Sequence, residues 1–317
     1  MYCIDSRFIL ITDDTVKKPP RYAYQLAGRV VLSVNRIALI NQFSIPVASL
    51  DTSMLDAADQ RWSAIDNEKS YEHLIEGDCL YDGDGSFSGG VKRVAMHKTG
   101  QYLAFKVDGC LQALIDSDNL HIHCVDKQGT DNAYNAEILL GAPLLFLLAT
   151  METFCLHAGA VKTPNGVAVF IGESGRGKST LSRSSSALSW DTLADDILPV
   201  CLSDGMAYIQ ARFPQFKTDI QSLDYEPLAI AGIFQLAEAT HNVTEIDIQR
   251  KDGCSSLLAL TRHTAASRVF SSDLLSSHMK FCQALQQLIP VYQLSYPRQL
   301  DRLDELRSKI IQSMAEA

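Results

Sequence analysis

Gly172-Glu173-Ser174-Gly175-Arg176-Gly177-Lys178-Ser179 follows the apolar run Val167-Ala168-Val169-Phe170-Ile171 and precedes Thr180-Leu181-Ser182. The octet matches the phosphate-loop pattern G-x-x-x-x-G-K-S, and its flanks read as the strand and the helix start that this pattern requires. Glycines let successive backbone N–H groups turn inward as an anion cradle, and a helix N-terminus adds partial positive charge. In that frame Lys178 reaches the β- and γ-phosphates and the Ser179 hydroxyl ligates Mg²⁺. Gly172, Glu173, Ser174, Gly175, Arg176, Gly177, Lys178, Ser179 and Thr180 therefore form the candidate nucleotide-binding segment, with the Arg176 side chain directed outward. A turn of purely structural purpose has no use for the Lys178-Ser179 pair.

Upstream, Thr163-Pro164-Asn165-Gly166 separates two β-type runs, and Asn-Gly is a strong signal for a two-residue hairpin loop. A loop at Asn165-Gly166 pairs Pro164 with Val167. Counting outward, it sets Gly159 opposite Gly172 and His157 opposite Ser174, so His157 is expected beside the phosphate loop. Downstream, Leu193-Ala194-Asp195-Asp196 reads as a strand ending in aspartate, as Mg²⁺-holding strands of phosphate-loop enzymes do. Side chains alternate along a strand, so adjacent aspartates divide their work. One lies near the metal and the other accepts the proton of an attacking hydroxyl, and spacing alone leaves open which does which.

The surrounding chain has 317 residues, 46% hydrophobic and 21% charged, the profile of a globular protein. A formal net charge of −9 argues against general affinity for nucleic acid or anionic membranes. Eight scattered cysteines with no C-x-x-C pair read as free thiols of a reducing compartment. The first residues show no basic segment followed by an apolar one, and the apolar stretch from Ile138 to Met151 is short for a membrane span. A cytoplasmic protein is expected.

Two domains are expected, 1–135 and 136–317. The first is β-rich α+β, with short runs such as Phe8–Ile11, Val30–Val34 and Tyr102–Val107, and a polar helix over Leu55–Glu76. The polar segment Asp126–Ala136 is the candidate boundary, and Glu137–Thr150 reads as a buried helix. Beyond it, strands are expected at Phe154–Val161, Val167–Ile171, Thr192–Ala194, Met206–Gln210, Ala229–Gln235, Thr244–Gln249 and Pro290–Leu294. Helices are expected at Lys178–Leu188, Cys254–Leu260, Ser272–Leu288 and Gln299–Met314. This is the α/β pattern of a mixed sheet.

Together, His157-Ala158-Gly159-Ala160-Val161, the loop Gly172–Ser179 and Leu193-Ala194-Asp195-Asp196 resemble the HPr serine kinase/phosphorylase-like family, whose catalytic core is similar to that of PEP carboxykinase. The likeness is nearer to diverged members of biosynthetic clusters, such as lasso-peptide kinases. Softer pieces add to it: Arg212-Phe213-Pro214, Pro227–Phe234 and Pro290–Pro297. The resemblance covers about residues 137–300 and implies a PEP-carboxykinase-like P-loop kinase core that uses ATP and Mg²⁺. It implies Asp195 as general base, Asp196 near the metal with Ser179, Lys178 on the triphosphate, and His157 assisting at the acceptor. The reverse division of the two aspartates stays open.

The chain lacks the Gly-rich second signature of true HPr kinase/phosphorylases, so the resemblance does not extend to phosphorolysis or to HPr as substrate. The expected activity is phosphoryl transfer to a serine-type hydroxyl of a peptide or protein, with homo-oligomerisation left open. A small-molecule alcohol kinase and a non-catalytic ATP-binding sensor are the competing readings. Arg212, Arg262 and His263 are secondary candidates for contact with a transferring phosphoryl group. His121, His123 and Cys124 lack a second ligand pair at zinc spacing, and strand alternation accounts for them better.

Overall fold

The computed structural model describes residues 7–13, 20–51, 53–58, 77–100, 102–125, 133–183, 190–215, 226–237, 243–297 and 300–316. The protein is mixed α/β, with two mixed sheets and several helices. Its chain divides into two compact units, residues 1–151 with 268–271, and residues 152–267 with 272–317.

The first unit holds β1 (Ile9–Asp13), β2 (Tyr22–Leu26), β3 (Arg29–Ser33), β4 (Ser44–Ile45), β5 (Asp78–Phe87), β6 (Gly90–Thr99), β7 (Tyr102–Val107), β8 (Cys110–Asp116) and β9 (His121–Cys124). They form one nine-stranded sheet in the order β4-β2-β3-β1-β9-β8-β7-β6-β5. β1 runs parallel to both β3 and β9. Phe8, Leu10, Ala23, Val30, Leu32 and Ala58 cluster as a buried core. Of the helix expected over Leu55–Glu76, residues 55–58 are helical and 59–76 lie outside the described residues. His121 and His123 sit on one face of β9, and the Thr12 hydroxyl lies 2.7 and 2.8 Å from their ring nitrogens. That buried triad is the alternation expected of a strand. Among the described residues no cluster of His, Cys, Asp and Glu is built to hold a metal by itself.

Helices α1 (Ala133–Leu140) and α2 (Ala142–Thr150) follow and belong to the first unit, which runs to Met151, past the expected boundary at 135/136. Tyr134 of α1 lies against Phe87, and Glu137 accepts the backbone N–H of Ser88 at 2.7 Å. An apolar helix must bury its faces, and here the partner is the sheet before it in sequence. The window Ala133–Thr150 is long and apolar enough, by length and composition, to cross a membrane, and 67% of it is buried within the protein. It is interrupted at Gly141, with Pro143 in the first turn of α2. Residues 126–132 of the polar segment lie outside the described residues.

The second unit contains β10 (Phe154–Thr163), β11 (Gly166–Ile171), α3 (Lys178–Arg183), β12 (Asp191–Ala194), β13 (Ile197–Ser203), β14 (Met206–Ile209), β15 (Leu228–Leu236), β16 (Asp247–Arg250), α4 (Gly253–Arg262), α5 (Ser272–Leu288), β17 (Val291–Ser295) and α6 (Leu303–Ala315). Two long strands change partners along their length. The first half of β10 pairs with β13 and its second half with β12, while β11 lies on the other edge. β15 begins on β14 and continues between β11 and β17, parallel to both. β16 completes the edge, antiparallel to β17.

The hairpin turn falls at Pro164-Asn165, with Thr163 paired to Gly166, one position earlier than expected. Proline at the second position and glycine at the fourth suit a type I turn, and a proline ring fixes φ near −65°. The positive φ falls on Gly166 alone, at 112°. The Thr163 hydroxyl braces the turn by donating to Gly166 O at 2.8 Å and accepting from Asn165 N at 3.2 Å. His157 therefore pairs across β13 with Ile197, and β11 ends before it.

The core over this sheet gathers Val161, Ala168, Phe170, Phe234, Leu236, Tyr292 and Leu294 from the strands, Leu181 from α3, and Leu306, Ile310 and Met314 from α6. Burying Leu181 contributes about 1.5–3 kcal/mol and anchors the short helix after the phosphate loop to the sheet. α4 starts at an Asp252 cap that accepts Ser255 N at 2.7 Å. α5 buries Leu274, His278, Phe281, Cys282 and Leu285, a single helical stripe. The helix expected to Leu188 is described to Arg183, and 184–189 lie outside the described residues. α6 begins after a turn of 3₁₀ helix at Leu300–Arg302. The strand expected at Thr244–Gln249 runs instead from Asp247 to Arg250.

Candidate active site

The loop after β11 lies where three parallel strands end, a common place for ligands in α/β sheets. Ile171 pairs with Gln235 and Leu236 with Leu294, so β11, β15 and β17 finish together. Gly172, Gly175 and Gly177 have φ of 155°, 77° and 98°. At Gly177 a side chain is excluded twice. Its φ lies in the left-handed region, and an added Cβ would stand 2.5 Å from the Tyr296 hydroxyl. Gly177→Ala is expected to lower stability by about 1–3 kcal/mol. Urea unfolding of this variant beside wild type checks it.

Lys178 is buried, and its ammonium donates to Gly172 O at 2.6 Å and Glu173 O at 3.2 Å. The lysine thus folds back across the loop it follows. Glu173, Ser174, Gly175, Ser179 and Thr180 are exposed, and Arg176 is half-buried. Arg262, at the end of α4, reaches Glu173 with an N–O distance of 2.8 Å.

α3 lies against β10, where a Cβ added to Gly159 would make ordinary contact with Ser182 Cβ at 3.4 Å and Lys178 O at 3.6 Å. Close passage brings Ser182 to the acidic turn between β12 and β13. Its hydroxyl donates to Asp195 Oδ1 at 2.8 Å, while Thr192 Oγ1 donates to Ser182 O. Asp196 meets a different neighbour, with Oδ1 3.3 Å from His157 Nε2. Both aspartates are buried, whereas the His157 side chain is 38% exposed, so the pair opens to solvent through the imidazole. Asp195 thus lies against the helix of the phosphate loop, and Asp196 against His157.

The segment after α4 completes the surround. His157 N donates to His263 O at 2.7 Å, and Ala265 N to Cys155 O at 2.7 Å. His263 is thereby fixed beside the loop. Burial holds its imidazole down at about 4; Glu173 pulls upward, and Lys178, His157 and Arg262 push further down. It is neutral at neutral pH. Because the folded value lies below the ordinary 6.5, the unfolded chain takes a proton between about 6.5 and 4 that the native protein refuses. Stability from this residue is present above that window and lost as pH falls through it. The urea midpoint is expected to drop from pH 7 to pH 5, and His263→Gln to remove part of that drop. Burial lowers His278 also, so the variant is not expected to remove all of it.

Arg212 is buried on the segment after β14. Three residues on stands Gln215, which sequence reasoning missed. Its Oε1 accepts the backbone N–H groups of Asp195, Asp196 and Ile197 at 3.0, 2.9 and 3.3 Å. The quoted motif Arg212-Phe213-Pro214 stops one residue short of it, and no local pattern marks a glutamine that caps a turn so distant in sequence.

The donor set suits Mg²⁺, which keeps several waters and takes one or two carboxylates plus phosphate oxygens, not an all-protein cage. The Ser179 hydroxyl and the Asp195 carboxylate fit such a role, and the glycine loop with Lys178 fits a polyphosphate. Compared with known families and with curated proteins, the sequence matches no family model and no curated protein.

Proposed function

We propose that the protein is an ATP- and Mg²⁺-dependent kinase with a PEP-carboxykinase-like P-loop core, acting on a serine-type hydroxyl of a peptide or protein. One observation carries this reading. Three separate sequence elements, the phosphate loop, the paired aspartates and His157, converge through Ser182–Asp195 and His157–Asp196 contacts at 2.8 and 3.3 Å. The resemblance to HPr-kinase-like proteins rests on the same three elements.

In the proposed reaction the acceptor oxygen forms a bond to the terminal phosphorus as the bond to the ADP oxygen breaks. The hydroxyl proton leaves to Asp196, with His157 beside it to orient the acceptor and share the proton. Lys178 and backbone N–H groups of the loop would balance the charge of the polyphosphate. Ser179 and Asp195 would hold Mg²⁺, which when bound neutralises charge on the terminal phosphates. Neutral His263 offers a hydrogen bond at the same site without adding charge. Catalysis of this kind consists mostly of positioning and electrostatics.

The acceptor is tested by supplying labelled ATP and Mg²⁺ with serine-containing peptides, peptides ending in serine, and a metabolite pool. Label on a peptide serine supports the reading. Label only on a small alcohol replaces the peptide with a metabolite as acceptor.

A further inference from the structure

We propose that Gln215 is the positioning residue that aims both aspartates into one site, an inference that rests on the kinase reading above. Gln215 is buried, at 3% exposure. Its side-chain oxygen takes three consecutive backbone N–H groups, those of Asp195, Asp196 and Ile197. Its side-chain nitrogen donates to Ile197 O at 2.8 Å and to Phe213 O at 3.3 Å. One amide thus closes the turn from both sides and ties it to its own segment.

Two consequences follow. Along a continuing strand the side chains of residues 195 and 196 would point to opposite faces. Gathering three N–H groups on one oxygen bends the chain between β12 and β13, and both carboxylates then serve the phosphate-loop end of the unit. Asp195 meets Ser182 on α3 and Asp196 meets His157 on β10.

The second consequence is chemical. Aspartate in a turn readily accepts backbone N–H groups one or two residues on. Gln215 occupies the three N–H groups with a neutral acceptor, and the carboxylates meet Ser182 and His157 instead. The amide acts through the aspartates and does not itself touch the reacting atoms.

Gln215→Met keeps the length and apolar bulk of the side chain and removes both its acceptor and its donor. Two readouts are taken on the full chain: steady-state kinetics with ATP dissociation constants, and hydrogen exchange of peptides covering 193–198. The expected result is a fall in kcat of about 100-fold, the scale of a small misplacement of reacting groups, with ATP affinity within about twofold of wild type. Exchange at 195–197 is expected to accelerate at least about tenfold, while β10 and β11 keep their protection. Where Gln215→Met fails to fold, Gln215→Asn, one methylene shorter, is expected to show the same pattern at smaller amplitude. Unchanged kcat, a loss that only tracks the folded fraction, or full protection of 195–197 would overturn the proposal. If wild type transfers nothing from ATP, the kinase reading fails on its own, and exchange still decides whether Gln215 holds the turn.

Discussion

Asp196→Asn is expected to cut phosphoryl transfer by about 10³–10⁴-fold while ATP binding stays near wild type, the upper range for loss of a general base. The carboxylate is buried, and its Oδ1 stands 3.3 Å from His157 Nε2. An amide there fills about the same volume but cannot serve as the proposed base. Asp195→Asn is expected to behave differently. Its carboxylate faces Ser182 on the helix of the phosphate loop, so the variant is expected to raise the Mg²⁺ concentration needed for half-maximal rate. Titrating Mg²⁺ against rate in both variants checks the division. If Asp195→Asn shows the pure kcat loss and Asp196→Asn the metal defect, the order implied by family resemblance holds instead.

Lys178→Ala is expected to lower kcat/KM for ATP by about 10³-fold, the scale for removing one preorganised charge partner of a developing anion. The ammonium lies 2.6 Å from Gly172 O, within the loop itself. Its removal takes away a brace of the loop backbone together with the charge proposed to meet the polyphosphate. Calorimetric titration with ATP separates these effects from folding, because a folded variant that binds ATP as wild type does would remove Lys178 from the site.

Much of the second unit is legible in local sequence, and the exceptions have physical causes. The ends of α5 coincide with the expected Ser272–Leu288, since its apolar stripe repeats at helical spacing. β11 and the loop after it are contiguous in sequence, so they read directly. β13, Ile197–Ser203, was hidden because Pro199 stands within it and proline argues against an inner strand. There Pro199 faces Cys155 on β10, and its carbonyl accepts Gln210 N at 2.9 Å. The hairpin register shifted by one position because Pro164 claims the second place of a type I turn, overriding the Asn-Gly signal.

At the site, His157, the loop and the acidic pair announce themselves by residue type and spacing. What joins them does not. Ser182 reads in sequence only as part of a helix start, and its hydroxyl donates to Asp195. Gln215 lies twenty positions from Asp195, and only the folded chain brings them together. Polar side chains that cap distant backbone carry no periodicity, whereas motifs that cradle a phosphate must be local. The expected boundary at 135/136 rests on polar composition, whereas burial decides which core the next helix joins.

The most direct test of the central claim is transfer of label from γ-labelled ATP in the presence of Mg²⁺, run side by side for wild type, Lys178→Ala and Asp196→Asn with serine peptides as acceptors. The account predicts phosphoserine with wild type and near-complete loss in both variants, with ATP still bound by Asp196→Asn. Tight ATP binding by wild type without transfer to any peptide, or equal transfer by all three proteins, would contradict it.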